Sequence, residues 1–148
     1  MPAYREKLWP SPWVFIVTAL VMPASVLVLA PISLVAGFVT AVALYAGCVT
    51  LLTIASPVVE VSNGTLGAGR ARIAVEFLGE AVPFSGVGAT EQRGTALDVR
   101  AWLLIRGWVH PVVKIPLRDP SDPTPYWLIS SRRPKDLAAA INGSRPPT

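Results

Sequence analysis

One cysteine, Cys48, and one histidine, His110, are all the thiol and imidazole that the 148-residue sequence contains. A single thiol excludes an intramolecular disulfide and any two-thiolate metal site. Set in an apolar run, Cys48 reads as a small buried hydrophobe. The single imidazole has no His or Cys partner to complete a zinc site, and no Ser-His-Asp order stands out from chance. His110, between Val109 and Pro111, is therefore read as a hydrogen-bonded strand residue. Charge is the other absence. No Asp, Glu, Lys or Arg lies between Lys7 and Glu60, and in water such a stretch would leave a large apolar face with no polar covering. A bilayer is its natural solvent. The net charge of +4, ten Arg and three Lys against nine acids, is too mild and scattered for nucleic acid. A cytoplasmic surface beside anionic lipid accounts for it more simply.

What is present is apolar: 52% of the residues are hydrophobic and the mean hydropathy is +0.51, high for a soluble domain. The excess is localised. Residues 13–30 form one predicted span, about 27 Å long at 1.5 Å per residue, and residues 32–55 a second, longer one that must tilt. Pro31 is the natural break between them, with Ser33 as the cap of the second helix, and Pro23 is expected to kink the first. Gly37 with Ala41, and Ala43 with Gly47, give the small-xxx-small spacing of close helix contacts, either inside this hairpin or in a homodimer. Apolar residues continue for a second span where a signal peptide would give way to polar mature sequence, which argues against cleavage. Arg5 and Lys7 precede the first span and Arg70 and Arg72 follow the second, so the positive-inside rule predicts a multi-pass plasma-membrane protein with both termini cytoplasmic. Tyr4, Trp9 and Trp13 fit an interfacial aromatic belt.

The predicted organisation is a cytoplasmic segment 1–12, a transmembrane hairpin 13–56, a small antiparallel β domain 57–143 and a disordered tail 144–148. Val58–Ser62 alternates, Asn63-Gly64 is a strong hairpin signal, and TLGAGRARIAV is the returning strand, bent or bulged at Gly67 and Gly69. A GxG lacking a strand-to-helix context and a P-loop lysine is not a nucleotide site. In LDVRAWLLIR, Leu97, Val99, Ala101, Leu103 and Ile105 share one face of an expected half-buried antiparallel strand. VHPVVKIPL and PYWLIS are further strands, and PKDLAAAIN is a closing helix. A small sheet followed by one helix is a PH-like layout, so the fold class is an α+β membrane protein.

YREKLWPSPW, the two charge-free spans, VEVSNGTLGAGRARI and above all DPSDPTPYWLISSRRPKDLAAAI resemble a DUF3093-like actinobacterial membrane-protein family of unknown function. The resemblance covers nearly the whole chain. It implies an actinobacterial plasma-membrane protein, in keeping with the excess of Arg over Lys, and it implies no activity.

The stretch DPSDPTPYWLISSRRP at residues 119–134 is the densest candidate for recognition. Asp119 and Asp122 each precede a proline, which suits turns better than paired catalytic carboxylates. The further acids of a calcium loop are lacking. Tyr126 and Trp127 point to opposite strand faces, one expected in the core and the other exposed as an anchor. Arg132 and Arg133 are candidates for pairing with Asp119 or Asp122, for phosphate, for anionic lipid or for a protein partner. Interleaved Arg100, Trp102, Arg106 and Trp108 could stack bases, though a membrane- or partner-facing sheet explains them without nucleic acid. No residue is assigned to catalysis, a cofactor or a metal. The expected function is a non-enzymatic membrane-tethered binding or scaffold module for a protein partner or anionic head groups. The alternatives are an accessory subunit or assembly factor of a larger membrane complex, and a small membrane-surface enzyme using Asp119, Asp122 and Arg132.

Overall fold

The computed structural model describes residues 2–146 and divides into two compact units, one of residues 9–56 and the other of residues 1–8 with 57–148. The first unit is helical. α1 (Pro12–Ala19) and α2 (Val21–Leu29) follow one another with only Leu20 between them, and α3 (Leu34–Ile54) returns antiparallel. Pro23 lacks the N–H that would reach the Ala19 carbonyl. The helix breaks at Leu20, one turn earlier, where the ring and that carbonyl would collide. The hydroxyls of Thr18 and Ser25 bond back to the carbonyls of Val14 and Val21, so neither is an open polar group in the apolar run. α2 stops before Pro31, and Ser33 caps α3 by accepting from the Ala36 N–H. Pro12–Leu29 and Leu34–Ile54 are both long and apolar enough to cross a membrane. None of Pro12–Leu29 is buried by the rest of the chain, so this is not the core helix of a soluble fold.

The small residues of α3 divide into two groups. Gly37 and Ala41 are buried against α2, and a Cβ on Gly37 would stand 3.2 Å from the Val26 Cα. Ala43 and Gly47 are exposed, with nothing within 4 Å of a Cβ on Gly47. The hairpin thus consumes only the first pair. Cys48 is partly exposed on α3 and not buried.

The second unit begins with a strand in the segment expected to be a mere N-terminal extension. β1 (Tyr4–Lys7) pairs antiparallel with β2 (Val58–Ser62), Lys7 facing Val58. Alternation puts Tyr4 and Glu6 inward and Arg5 outward, so Tyr4 is a core residue, not part of an interfacial belt. β2 turns through Asn63 and Gly64, both at positive φ, into β3 (Thr65–Ala68). Such φ values suit Asn-Gly in a two-residue hairpin. Gly69 at φ +63° then begins a second tight turn into β4 (Ala71–Ala74), so the expected single returning strand is a hairpin of two.

The second sheet has the order β5-β7-β8-β6. It comprises β5 (Val82–Phe84), β6 (Trp102–Leu104), β7 (Val112–Pro116) and β8 (Tyr126–Ser130). β6 runs parallel to β8. The long antiparallel strand expected over residues 97–106 shrinks to three residues. Val99 is 97% exposed, and Leu104 is buried where Leu103 was expected. Residues 97–101 instead form a covering loop, whose Leu97 and Ala101 pack with Ile105 on Ala89, Val112, Tyr126 and Leu128. Ala89 belongs to α4 (Gly86–Arg93), a polar helix with little sequence signal. The opposite face of the sheet shares one core with the first sheet and with α5 (Pro134–Gly143), through Val59, Leu66, Ile115, Trp127, Ile129, Leu137 and Ile141. With both faces covered, every residue of β8 is buried. Ser144, expected in the tail, caps α5 through the Ala140 carbonyl. Residues 147 and 148 of that tail lie outside the described residues.

Gly37→Val is expected to lower the thermal midpoint of the full chain in detergent, by an overpacking cost of about 1–3 kcal/mol. Gly47→Val should leave it unchanged. Equal effects of the two would contradict the assignment of faces.

Candidate functional site

The Asp-Pro stretch is a self-satisfied loop. Asp119 Oδ1 accepts from the Ser121 N–H at 2.9 Å and from its hydroxyl at 2.6 Å, and Asp122 Oδ1 accepts from the Thr124 N–H at 2.8 Å. These are Asx turns, in which the carboxylate replaces a backbone acceptor. Hydrogen bonding from Thr124 holds the Asp122 carboxyl below its ordinary range. Among the described residues no group of three His, Cys, Asp or Glu could hold a metal.

Tyr126 and Trp127 do point to opposite faces, but neither is exposed. Trp127 stacks on Trp102, ring centroids 4.2 Å apart, in the core between the sheets. Tyr126 lies beneath the covering loop, where its hydroxyl accepts from the Asp98 N–H at 2.8 Å. The Lys114 ammonium stands 4.3 Å from its ring centroid and also donates to Gln92. The expected exposed anchor is absent here because α4 and residues 97–101 cover the second face.

The arginines do not share one face. Arg100 pairs with Asp98 at 3.0 Å, and its guanidinium holds the Asp98 carboxyl below its ordinary range. Arg106 donates its backbone N–H to Ser130 Oγ, and Trp108 donates its ring N–H to the Leu8 carbonyl at 3.3 Å. Trp102 and Trp108 are both half-buried against the main core, and one face of Trp102 is taken by Trp127. Arg133 lies over the Tyr4 ring, 5.0 Å from its centroid, and donates to the Arg5 carbonyl, so its partner is the first strand and not Asp119 or Asp122. Arg132 donates its backbone N–H to Glu6. It follows the C-terminal end of β8, whereas Asp119 and Asp122 precede its start. Five strand residues, roughly 16 Å, separate them. The three side chains proposed for a surface enzyme therefore do not converge.

Glu6 and Ser131, which the sequence reading passed over, are brought together with Tyr4 instead. Glu6 is buried, and its Oε2 accepts from the hydroxyls of Tyr4 and Ser131, while its Oε1 accepts from the Arg132 N–H at 3.0 Å. Ser131 Oγ also accepts from the Arg133 N–H. This cluster fastens β1 to the start of α5. Burial, together with the Glu6 carboxylate that its hydroxyl serves, pushes the Tyr4 phenol up to about 12. The only sequence signal was the alternation of YREK, in four residues whose partner strand lies beyond two spans. An open cleft of about 450 Å³ at the Asn63-Gly64 turn, bordered by Glu76 and Arg145, includes none of the predicted site residues.

Glu6→Ala is expected to destabilise the β unit by about 3 kcal/mol, because it strands buried donors. Tyr4 is protonated in the fold at pH values where it ionises in the unfolded chain, so its contribution is full below pH 10 and is lost as pH rises toward about 12. Tyr4→Phe should abolish that alkaline limb of the stability profile, and a limb that persists unchanged in this variant would contradict the assignment.

Residues 3–141 match a family model described as a protein of unknown function, DUF3093. No curated protein and no solved structure matches the chain.

Proposed function

Since the chain belongs to the DUF3093 family of unknown function, its role must be argued from its architecture, and we propose that it is a membrane-tethered, non-enzymatic module. In this reading the helical hairpin is anchored in an actinobacterial plasma membrane, and a PH-like β unit stands at the cytoplasmic face as a binding or scaffold surface for a protein partner or anionic lipid. The observation that carries it is the pairing of β1 with β2. Lys7 faces Val58, and the Leu8 N–H donates to the Pro57 carbonyl at 2.9 Å, so an apolar excursion that leaves at residue 8 must return beside itself. A hairpin of two spans meets that condition, while one span or three would not. Cleavage of a signal sequence would remove Tyr4 and Glu6 from the core, which supports a retained hairpin. Two four-stranded sheets closed by α5 support the PH-like comparison, and the parallel β6-β8 pair is a departure from a simple antiparallel layout.

A second reading, an accessory subunit or assembly factor, is favoured by one separate observation. Ala43 and Gly47 leave an unused close-packing face on α3.

In a Cys48→Ser background, Pro2→Cys and Arg145→Cys should react with a membrane-impermeant thiol reagent only in inverted vesicles, and Ile32→Cys only in right-side-out ones. Labelling of positions 2 and 145 from opposite sides would overturn the topology. Crosslinking in native membranes should recover one reproducible protein or an enriched lipid class with the full chain, and recovery of neither would count against the module.

A further inference from the structure

The strand registers give the β unit two ends. Lys7, Leu8, Pro57, Ala68–Ala71, Leu104–Val109 and Ser130–Arg132 stand at one. The Ala68↔Ala71 turn brings Gly69 against Val58, whose carbonyl accepts its N–H at 2.8 Å. A Cβ on Gly69 would lie 3.5 Å from Pro57 and 3.8 Å from the Leu104 side chain. Trp108 is tied to the Leu8 carbonyl, and the Ser131 N–H donates to the Pro111 carbonyl. The other end holds the Asn63-Gly64 turn, residues 74–78, the Asp-Pro loop and Asp98, joined through Val75 to Gly64, Arg118 to Phe77 and Tyr126 to Asp98. The segments of the first end carry Lys7, Arg70, Arg106 and Arg132 and no acid, whereas the other end mixes Glu76, Asp98, Asp119 and Asp122 with Arg100, Arg118 and Arg145. The first end is also the one from which the chain passes into both apolar spans.

We infer that this basic end is an anionic-headgroup surface, with Lys7, Arg70, Arg106 and Arg132 as its cations and with Trp108 positioning the Arg106 loop by its bond to Leu8. The inference rests on the membrane reading above and deepens it, by assigning the ligand class and the residues. Arg70 and Arg132 are exposed, Lys7 and Arg106 half-buried. The registers hold the four cations close to Leu8 and Pro57, the residues at which the chain leaves and re-enters the β unit. Near an anionic leaflet each such cation contributes about fivefold in apparent affinity.

The test is hydrogen exchange on the full chain in nanodiscs of neutral phosphatidylcholine and of the same lipid mixed with phosphatidylglycerol. Segments 69–72 and 104–109 are expected to exchange at least about fivefold more slowly in the anionic discs, with the 119–125 loop unaffected. The difference should vanish at about 1 M salt, where the screening length is about 3 Å. Arg70→Gln, at an exposed turn residue without a side-chain bond, should reduce it without disturbing the fold, and Lys7→Gln combined with Arg70→Gln should reduce it further. Equal exchange in both discs, or a difference indifferent to these substitutions, would overturn the inference. Equal slowing by inorganic phosphate in neutral discs would reassign the surface to a soluble anion and overturn its lipid identity. A chain that stays dissolved without discs or detergent would instead overturn the membrane reading itself.

Discussion

The pairing of β1 with β2 is the constraint on which the architecture depends. It closes residues 8–57 into a loop whose two ends leave one sheet as neighbours, and it makes four residues ahead of the apolar region part of the domain that follows it. Backbone bonds alone would hold so short an edge strand weakly. The buried Glu6 carboxylate adds three charge-assisted bonds, one from Tyr4 on the same strand and two that reach the opposite end of the domain sequence, at Ser131 and Arg132. Charge-assisted bonds in a buried site are the stronger kind, and removing one partner is costly. The N-terminal residues and the start of α5 therefore stabilise each other across the whole length of the chain.

The second organising feature is the double covering of the β5-β7-β8-β6 sheet. One face meets the first sheet and α5, the other meets α4 and residues 97–101. A strand at the middle of such a sheet must be apolar on both sides, which is the composition of YWLIS. Side chains that look reactive in the sequence, Tyr126 and Trp127 above all, are spent on these two cores.

Local chemistry was legible in the sequence and long-range chemistry was not. Asn63-Gly64, Ser33 and Pro31 each act through bonds within a few residues, and each stands where its type predicts. The apolar excursion was legible because no arrangement of so few polar atoms could cover it. The alternation of residues 97–105 misled because Leu97 and Ala101 are buried by a loop folding over a sheet, a placement that period-two counting cannot distinguish from a strand. YWLI, a continuous apolar run, already carried the sign of two-sided burial against the expectation of one exposed ring. Of the candidate site, the turn role of Asp119 and Asp122 was legible from the prolines after them. The Glu6 cluster was not, since Ser131 and Arg132 are more than a hundred residues away in sequence and a lone Glu between Arg5 and Lys7 looks like surface charge.

The most direct test of the account is the distance between spin labels at Arg5→Cys and Glu60→Cys, measured in the full chain with Cys48→Ser in a lipid bilayer. These two positions face one another across β1 and β2, where opposed Cα atoms stand about 5 Å apart. Strong short-range broadening of the spectrum is the predicted result. A pair separated by about 20 Å or more, beyond the reach of any register slip between adjacent strands, would contradict it.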